Sequence, residues 1–199
     1  PVTFTIERGK KIAFVGKNGE RKSTLVKCIM NESEYGGHLQ LGLNVQIGYF
    51  AQDQAATLDE SLAVFQTIDD IAVGGIRTKI RDMLGAFMLG REDVDKKVKV
   101  LSGGERQRLA MIKLLLEHVN LLILAEPTIH LDMKTKDVLK QALNDFDGTL
   151  IVVSHDRDFL DGLIKKVYEF GNQRVTEHLE DIYGFLQKKN MENLREIEK

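Results

Sequence analysis

A glycine-bearing loop carries residues that could bind the phosphates of a nucleotide. The loop, VGKNGERKST at residues 15–24, follows an apolar, β-prone run at 11–15 and precedes a helical stretch at 23–30. In that setting a loop wraps backbone N–H groups around phosphate oxygens, and the helix N-terminus adds positive potential. Lys22 would reach the β and γ phosphates, and Ser23 would ligate Mg²⁺. A lysine-rich turn without a ligand is the alternative for this motif taken alone.

A second motif, LSGGERQR at residues 101–108, stands before a predicted helix at 104–117. Ser102, Gly103 and Gly104 can present hydroxyl and amide donors at a helix N-terminus, which suits the γ-phosphate of a nucleotide. Taken by itself, the same pattern is typical of a flexible helix cap.

Two short apolar runs end in residues that could act on an attacking water. Residues 121–124 are typical of a buried parallel strand and lead to Glu126, and residues 149–153 do the same before Ser154 and His155. Open α/β sheets bind ligands at the carboxyl ends of their strands, so both side chains are expected at that edge. Glu126 could orient or deprotonate the water, and His155 could hold the γ-phosphate or the water.

Gln52 completes this set of polar candidates. It follows a strand-like run at residues 44–50, and its side chain could ligate Mg²⁺ or the water. Each candidate also has an ordinary explanation, because Glu126 could cap a turn beside Pro127 and His155 could be packed or solvated. A lone glutamine is likewise an ordinary polar residue.

The elements that position these residues alternate between strand and helix. Strands at 11–15, 44–50, 121–124 and 149–153 are separated by helical stretches, and another helix is expected at 137–146. The alternation predicts an α/β fold with a mostly parallel central sheet flanked by helices on both faces.

Between about residues 55 and 100 this alternation stops and short helices are expected. The apolar residues there recur at helical spacing: Ile76, Ile80, Met83, Leu84 and Phe87. We therefore predict a small helical subdomain set into a core formed by residues 1–54 and 101–181. A charged helical tail is expected at about 182–199, including Arg195 and Glu196.

Composition indicates an ordinary soluble protein. The 199 residues are 43% hydrophobic and 29% charged with a net charge of −2, which argues against a surface that coats nucleic acid. No apolar run is long enough to cross a bilayer, and no signal-peptide pattern is present.

The single cysteine, Cys28, excludes an internal disulfide and suits a reducing cytoplasm. A strand-like run begins directly at Pro1, so we expect a piece of a longer protein.

In this order, the motifs resemble those of the ATP-binding cassette family over nearly the whole chain. EPTIHLD at 126–132 is close to the family's EPTNHLD, and SHDRDFLD at 154–161 with LSGGER is most similar to the F subfamily. The resemblance implies a P-loop NTPase fold with an antiparallel β edge, ATP and Mg²⁺ as ligands, and ATP hydrolysis. F-subfamily proteins carry two cassettes on one chain and in bacteria act mainly on ribosomes, so the resemblance implies a C-terminal cassette of a cytoplasmic translation factor, with ribosome and tRNA as partners.

The resemblance also implies a site shared by two cassettes, with ATP between the phosphate loop of one and the LSGGE motif of the other. Glu126 and His155 are the implied catalytic residues, Ser23 and Gln52 would ligate Mg²⁺, and Asp132 lies in the loop that contacts the partner cassette. The implied nucleotide-binding residues are Gly16, Lys17, Asn18, Gly19, Glu20, Arg21, Lys22, Ser23, Thr24, Gln52, Ser102, Gly103, Gly104, Glu105 and Asp132.

Three departures from the family pattern fall in this site. Arg21 stands where the loop has a glycine, Ala125 where an aspartate supports Mg²⁺ through water, and Ile129 where the family has asparagine. Second-shell metal partners are commonly worth about 10–100-fold in affinity or activity, so we expect little or no ATP turnover. Arg21 could pair with a phosphate, but we expect its bulk to close the loop, because the backbone there must approach phosphates closely and a Cβ resists the required conformation.

The aromatic residue that stacks on adenine in this family is expected upstream of Pro1. Phe4 is a poor substitute because we expect it within a strand. Base stacking contributes about 1–3 kcal/mol, so weak ATP binding is expected.

Two other interpretations stay open. The ATPase subunit of a transporter shares the cassette core and would pair with a membrane domain through the helical insert near Gln52. A non-catalytic scaffold that keeps the cassette shape is favoured by Arg21 and Ala125.

Overall fold

The computed structural model describes residues 2–17, 21–72 and 74–197, with backbone only for residue 76 and for 194–197. Three residues assigned to the phosphate loop, Asn18, Gly19 and Glu20, lie outside the described residues. The side chains of Ile76, Arg195 and Glu196 lie outside them as well.

In the described part of the chain, six strands form one sheet. They are β1 (Lys11–Gly16), β2 (Ile47–Phe50), β3 (Leu121–Ala125), β4 (Thr149–Val153), β5 (Lys166–Gly171) and β6 (Arg174–His178). The strand order is β2-β3-β4-β1-β5-β6, and only the β5–β6 pair is antiparallel. The predicted mostly parallel sheet with an antiparallel edge is confirmed.

Helices cover both faces of this sheet. The α-helices are α1 (Lys22–Ile29), α2 (Val64–Asp69), α3 (Ile80–Ala86), α4 (Gly103–Leu116), α5 (Met133–Asp145), α6 (Arg157–Leu160) and α7 (Ile182–Ile197). Short 3₁₀ helices occupy Gln52–Thr57, Gly74–Lys79 and Val98–Val100. Among the described residues, no helix combines the length and apolar character needed to span a bilayer.

Alternating strand residues divide the core into two layers. In β1, Ile12 and Phe14 pack with α1 on one face, whereas Ala13 points to the other face, where α4 and α5 pack. All five residues of β4 are buried, as expected for a central parallel strand covered on both sides.

The middle block contains the short helices that the sequence predicts. Ile80, Leu84 and Phe87 are fully buried in the same core layer as α4, and an isolated bridge between Ala63 and Lys97 joins the two ends of the block. The division into a core and a helical subdomain stays a prediction.

Two predicted boundaries are wrong at their N-terminal ends. β2 begins at Ile47 rather than at residue 44, because Asn44 has a φ of 56° and the Asn120 side chain binds the backbone of Gln46 and Asn44. The helix expected from 137 begins at Met133, because Asp132 caps it by accepting a hydrogen bond from the Thr135 N–H at 2.8 Å.

The strand expected at the start of the chain is also absent from the described residues, since 2–10 form no strand. Phe4 instead packs its ring against Tyr168 and Phe14, with centroid distances of 4.9 and 6.3 Å. Aromatic packing rather than strand pairing holds this segment on the sheet.

Candidate functional site

The carboxyl end of β1 positions the phosphate loop. Gly16 ends the strand with a φ of 150°, and a Cβ built there would lie 2.5 Å from the carbonyl oxygen of Phe170 in β5. Only glycine fits such a close approach between neighbouring backbones. Lys17 follows and is exposed.

Arg21 has the left-handed backbone conformation that glycine favours. Its φ is 66° and its ψ 16°, at the N-cap of α1. The sequence expectation that a Cβ is resisted at this position is confirmed, because a non-glycine residue in this region costs about 1–2 kcal/mol. The side chain is exposed, and the expectation that its bulk closes the loop stays a prediction.

Lys22 turns back into the loop that precedes it. Its side chain is buried, and the Nζ donates hydrogen bonds to the carbonyl oxygens of Gly16 at 2.6 Å and Lys17 at 3.1 Å. Ser23 and Thr24, in the first turn of α1, are exposed. The ammonium therefore lies against the backbone of Gly16 and Lys17, just before α1.

Glu126 and His155 meet at the carboxyl ends of the neighbouring strands β3 and β4. The Oε1 of Glu126 lies 3.7 Å from the Nε2 of His155. The Glu126 N–H donates to the carbonyl oxygen of Val153 at 2.7 Å, one residue beyond the strand, and Glu126 has a φ of 48°. This bond and this turn direct the carboxylate beside the imidazole.

Strand order brings the remaining candidates to the same edge. Gln52 follows β2 and is exposed, Glu126 follows β3, His155 follows β4, and the phosphate loop follows β1. These four strands are parallel neighbours, so their carboxyl ends form one continuous edge. These residues therefore lie at the ends of their strands, as predicted, along the carboxyl edge of the sheet.

The LSGGE motif is the N-terminus of α4, as expected. Ser102 is the N-cap: its Oγ accepts from the Glu105 N–H at 3.2 Å, and its own N–H donates to Glu105 Oε1 at 3.0 Å. This capping box satisfies the Glu105 amide, while the amides of Gly103 and Gly104, in the first turn of α4, have no acceptor within the helix. Within the described residues no hydrogen bond or ion pair joins the motif to Glu126 or His155.

Asp132 has a structural role in addition to its expected place in the partner loop. The hydrogen bonds that its exposed carboxylate accepts from the side chain and backbone of Thr135 hold the pKa of Asp132 below its usual value of 3.8. The carboxylate therefore stays charged while it caps α5.

Sequence reasoning missed the side chains that attach α4 to the helical block. Arg106 donates to Glu60 Oε1 and to the carbonyl oxygen of Lys99, both at 2.8 Å, and Arg108 donates to the carbonyl oxygen of Phe87 at 2.9 Å. The available signal was the pair of arginines near the start of the predicted helix, in the sequence LSGGERQR.

Sequence reasoning also missed Asp156, directly after His155. Its carboxylate accepts from Lys136 Nζ at 2.8 Å and from the Phe159 N–H at 3.1 Å. Burial pushes the pKa of Asp156 up, but hydrogen bonds from Lys136, Phe159 and Thr128 outweigh it, so the pKa is lowered from 3.8. The S-H-D sequence before a short helix could have predicted the cap but not Lys136.

A family comparison supports the sequence resemblance. A profile described as ABC transporter matches residues 1–129. YdiF, a putative ATP-binding protein of Bacillus subtilis (strain 168), is 43% identical over 199 residues, which are 100% of this chain and 30% of that protein. ABC transporter F family member 2 of Arabidopsis thaliana is 40% identical over 198 residues, which are 98% of this chain and 29% of that protein.

A second bacterial protein is also similar to this chain in sequence. The ATP-binding protein Uup-like of Haemophilus influenzae (strain ATCC 51907 / DSM 11121 / KW20 / Rd) is 38% identical over 193 residues, 94% of this chain and 41% of that protein. The chain thus spans less than half the length of each of these three relatives.

Solved structures confirm the fold. The dimeric post-hydrolysis structure of the ATP-binding cassette MJ0796 bound to ADP and Pi has a TM-score of 0.70 at 21% identity, over 89% of this chain and 88% of that chain. The archaeal ribosome recycling factor aABCE1, in complex with the ribosomal stalk protein aP1, has a TM-score of 0.73 at 22% identity, over 92% and 37%. Members of the family matched by the profile are ATPases, and the chain belongs to the ATP-binding cassette family, with F-subfamily proteins among its relatives.

Proposed function

We propose that this chain is an ATP-binding cassette that holds ATP and Mg²⁺ between its phosphate loop and the LSGGE motif of a second cassette. The single observation that carries the proposal is the continuous edge on which the phosphate loop, His155, Glu126 and Gln52 follow one another at the ends of four parallel strands. A nucleotide on that edge would have Lys22 at its phosphates and Glu126 beside the attacking water.

Ser23 and Gln52 can hold a magnesium ion only when phosphate oxygens of a nucleotide supply further ligands. Ser23 and Gln52 are exposed at this edge, and hydroxyl and amide oxygens suit Mg²⁺. Among the described residues no group of three or more His, Cys, Asp or Glu side chains could hold a metal by itself. Ser23 and Gln52 would therefore hold the ion together with the nucleotide, and the bound ion would neutralise phosphate charge.

Exposed apolar side chains support pairing with a second cassette. Val100, just before Ser102, is 62% exposed, and Met133, just after Asp132, is 80% exposed. Both flank the segments that the family places against the partner. Burying these two side chains against a second cassette would remove apolar surface from water, which favours association.

We further propose that hydrolysis by this copy is impaired. Ala125 ends β3 beside Glu126 and offers no carboxylate to the water shell of Mg²⁺. Arg21 puts a Cβ and a long side chain on a backbone turn that must approach phosphates. Binding should therefore survive better than turnover.

The first test is nucleotide binding by the purified chain. A fluorescent ATP analogue is titrated with and without Mg²⁺. Lys22→Met serves as the binding-deficient control because the Lys22 ammonium lies against the backbone of Gly16 and Lys17, where the phosphate loop begins. We expect Mg²⁺-dependent binding that weakens about tenfold or more in Lys22→Met. No binding at millimolar nucleotide would contradict the proposal.

We also propose a role on the ribosome in the cytoplasm. Two observations support this role: relatives are F-subfamily proteins, and the similar aABCE1 structure is a ribosome recycling factor in complex with a ribosomal stalk protein. Cosedimentation with ribosomes, with and without ATP, tests it. Ribosome binding that depends on the nucleotide is expected, and recovery of the chain only at the top of the gradient would exclude this role.

A non-catalytic scaffold is the second candidate, and the same two substitutions favour it. If Arg21 closes the loop, the cassette shape would serve for docking alone. Ribosome binding without any nucleotide binding would select the scaffold over the ATPase.

A further inference from the structure

Asp156 lies where three segments of the site edge meet. Its carboxylate accepts hydrogen bonds from Lys136 Nζ of α5 at 2.8 Å and from the Phe159 N–H of α6 at 3.1 Å. Asp156 directly follows His155, which comes just after the end of β4. One carboxylate therefore ties the segment after β4 to helices α5 and α6.

The surroundings of Asp156 fix its position further. Its N–H donates to the Oγ of buried Ser154 at 3.0 Å, and its carboxylate caps α6 through the Phe159 N–H. The side chains of Lys136 and Asp156 are 33% and 22% exposed, so the ion pair is partly shielded from water. A charge-assisted bond in such a setting restricts both partners more than an exposed pair does.

We propose that Lys136 is a positioning residue for His155 and Glu126. By holding Asp156, Lys136 sets the separation of the imidazole and the carboxylate, which is 3.7 Å. The inference rests on the proposed function, because a nucleotide at this edge is what gives the separation its importance. Lys136 acts through Asp156 and makes no step of the reaction itself.

Helix α5 offers a matched control. Lys140, one turn after Lys136, donates to the backbone carbonyl oxygen of Asp158 at 2.9 Å. It also joins α5 to α6, but not through the residue beside His155. Lys136→Met and Lys140→Met therefore each remove one positive charge and one hydrogen bond from α5, to the carboxylate of Asp156 and to the backbone of Asp158 respectively. Lys136→Arg keeps the charge that holds Asp156.

The first readout needs no nucleotide. The ring signals of His155 in the NMR spectrum of the full chain report the surroundings of the imidazole. We expect Lys136→Met to shift these signals at least twice as far as Lys140→Met, and Lys136→Arg to restore them. Equal shifts in the two methionine variants, or none in Lys136→Met, would overturn the inference; urea unfolding midpoints check that all variants are folded.

The second readout separates binding from turnover. With a partner cassette present, we expect Lys136→Met to lower the single-turnover rate of ATP hydrolysis about tenfold, with Kd for the nucleotide within twofold of the parent chain. If the parent chain binds and hydrolyses nucleotide and Lys136→Met hydrolyses it at the same rate, the positioning role of Lys136 is wrong while the proposed function stands. If the parent chain binds no nucleotide, the proposed function fails. In that case, and also if the parent chain binds nucleotide without hydrolysing it, the His155 ring signals decide whether Lys136 positions the imidazole.

Discussion

The two halves of the candidate site are held in different ways. On the phosphate-loop side, the backbone supplies the shape: Gly16 presses against the β5 backbone, Arg21 adopts a left-handed turn, and Lys22 binds loop carbonyls. On the strand-end side, side chains supply it, through the Asp156 carboxylate and its hydrogen bonds to Lys136 and neighbouring segments.

This difference decides which substitutions each half tolerates. A backbone-defined loop is sensitive to any added Cβ, whereas a side-chain network is sensitive to loss of charge and hydrogen bonds. Arg21 falls on the first half and Ala125 on the second, so the proposed impairment of hydrolysis would arise from two unrelated mechanisms.

The largest effect is expected from Gly16→Ala. The added Cβ would lie 2.5 Å from the Phe170 carbonyl oxygen at a φ of 150°, so we expect a loss of more than about 3 kcal/mol in the free energy of unfolding. Urea denaturation measures it. Gly171→Ala is the matched control, because a Cβ added there would meet no atom within 4 Å beyond its chain neighbours among the described residues; equal losses in the two variants would refute the close approach.

The next largest effect is expected on the rate of ATP hydrolysis. Restoring both halves in the double variant Ala125→Asp with Arg21→Gly should raise the rate of ATP hydrolysis by about 100-fold when a partner cassette is present. Each single variant should gain less, since each repairs one half. A double variant no faster than the parent chain would mean that the assigned roles of these two positions are wrong.

The free energy of unfolding of Arg21 variants tests the phosphate-loop half of the site separately from the strand-end half. Arg21→Gly should raise the free energy of unfolding by about 0.5–1 kcal/mol, because relief of the left-handed strain exceeds the extra freedom of glycine in the unfolded chain. Arg21→Ala keeps the Cβ at a φ of 66° and should bring no such gain. A comparable gain in both variants would point to the arginine side chain rather than the backbone.

The smallest expected effect is the change in stability of Asp156→Asn with pH, which tests the strand-end half of the site. The pKa of Asp156 is lowered from 3.8, so its charged form stabilises the fold above that value, and the contribution declines as the pH falls through the lowered pKa. Asp156→Asn, which keeps the helix cap, should cost less than about 1 kcal/mol at pH 7 because the ion pair is partly exposed. Urea unfolding at pH 7 and pH 3 should show this cost shrinking in acid; an unchanged cost at pH 3 would show that the charge contributes nothing.

The sequence was most informative where one physical signal dominates. The apolar runs before Glu126 and His155 predicted two buried parallel strands, and each residue was expected at the end of its strand. Their nearness follows from the pairing of these two strands in the sheet. The motif spacing predicted the conformational conflict at Arg21.

The sequence was least informative where a contact joins ordinary polar residues far apart in the chain. Lys136 and Asp156 are 20 positions apart and each resembles a solvated surface charge. Phe4 was expected in a strand, but ring packing against Tyr168 depends on a strand that is more than 160 residues away. Such pairings follow from the tertiary structure and leave no local pattern.

The strand order also has a consequence for how the chain folds during synthesis. β1 lies between β4 and β5, so Ile12 is paired with Ile151 on one side and Lys166 on the other. Among the described strands, the one that carries the phosphate loop is made first, and both of its sheet neighbours are made only after β2 and β3. Closing such long loops is entropically slow, and Ile12 and Phe14 are exposed to other partners until β4 and β5 have left the ribosome.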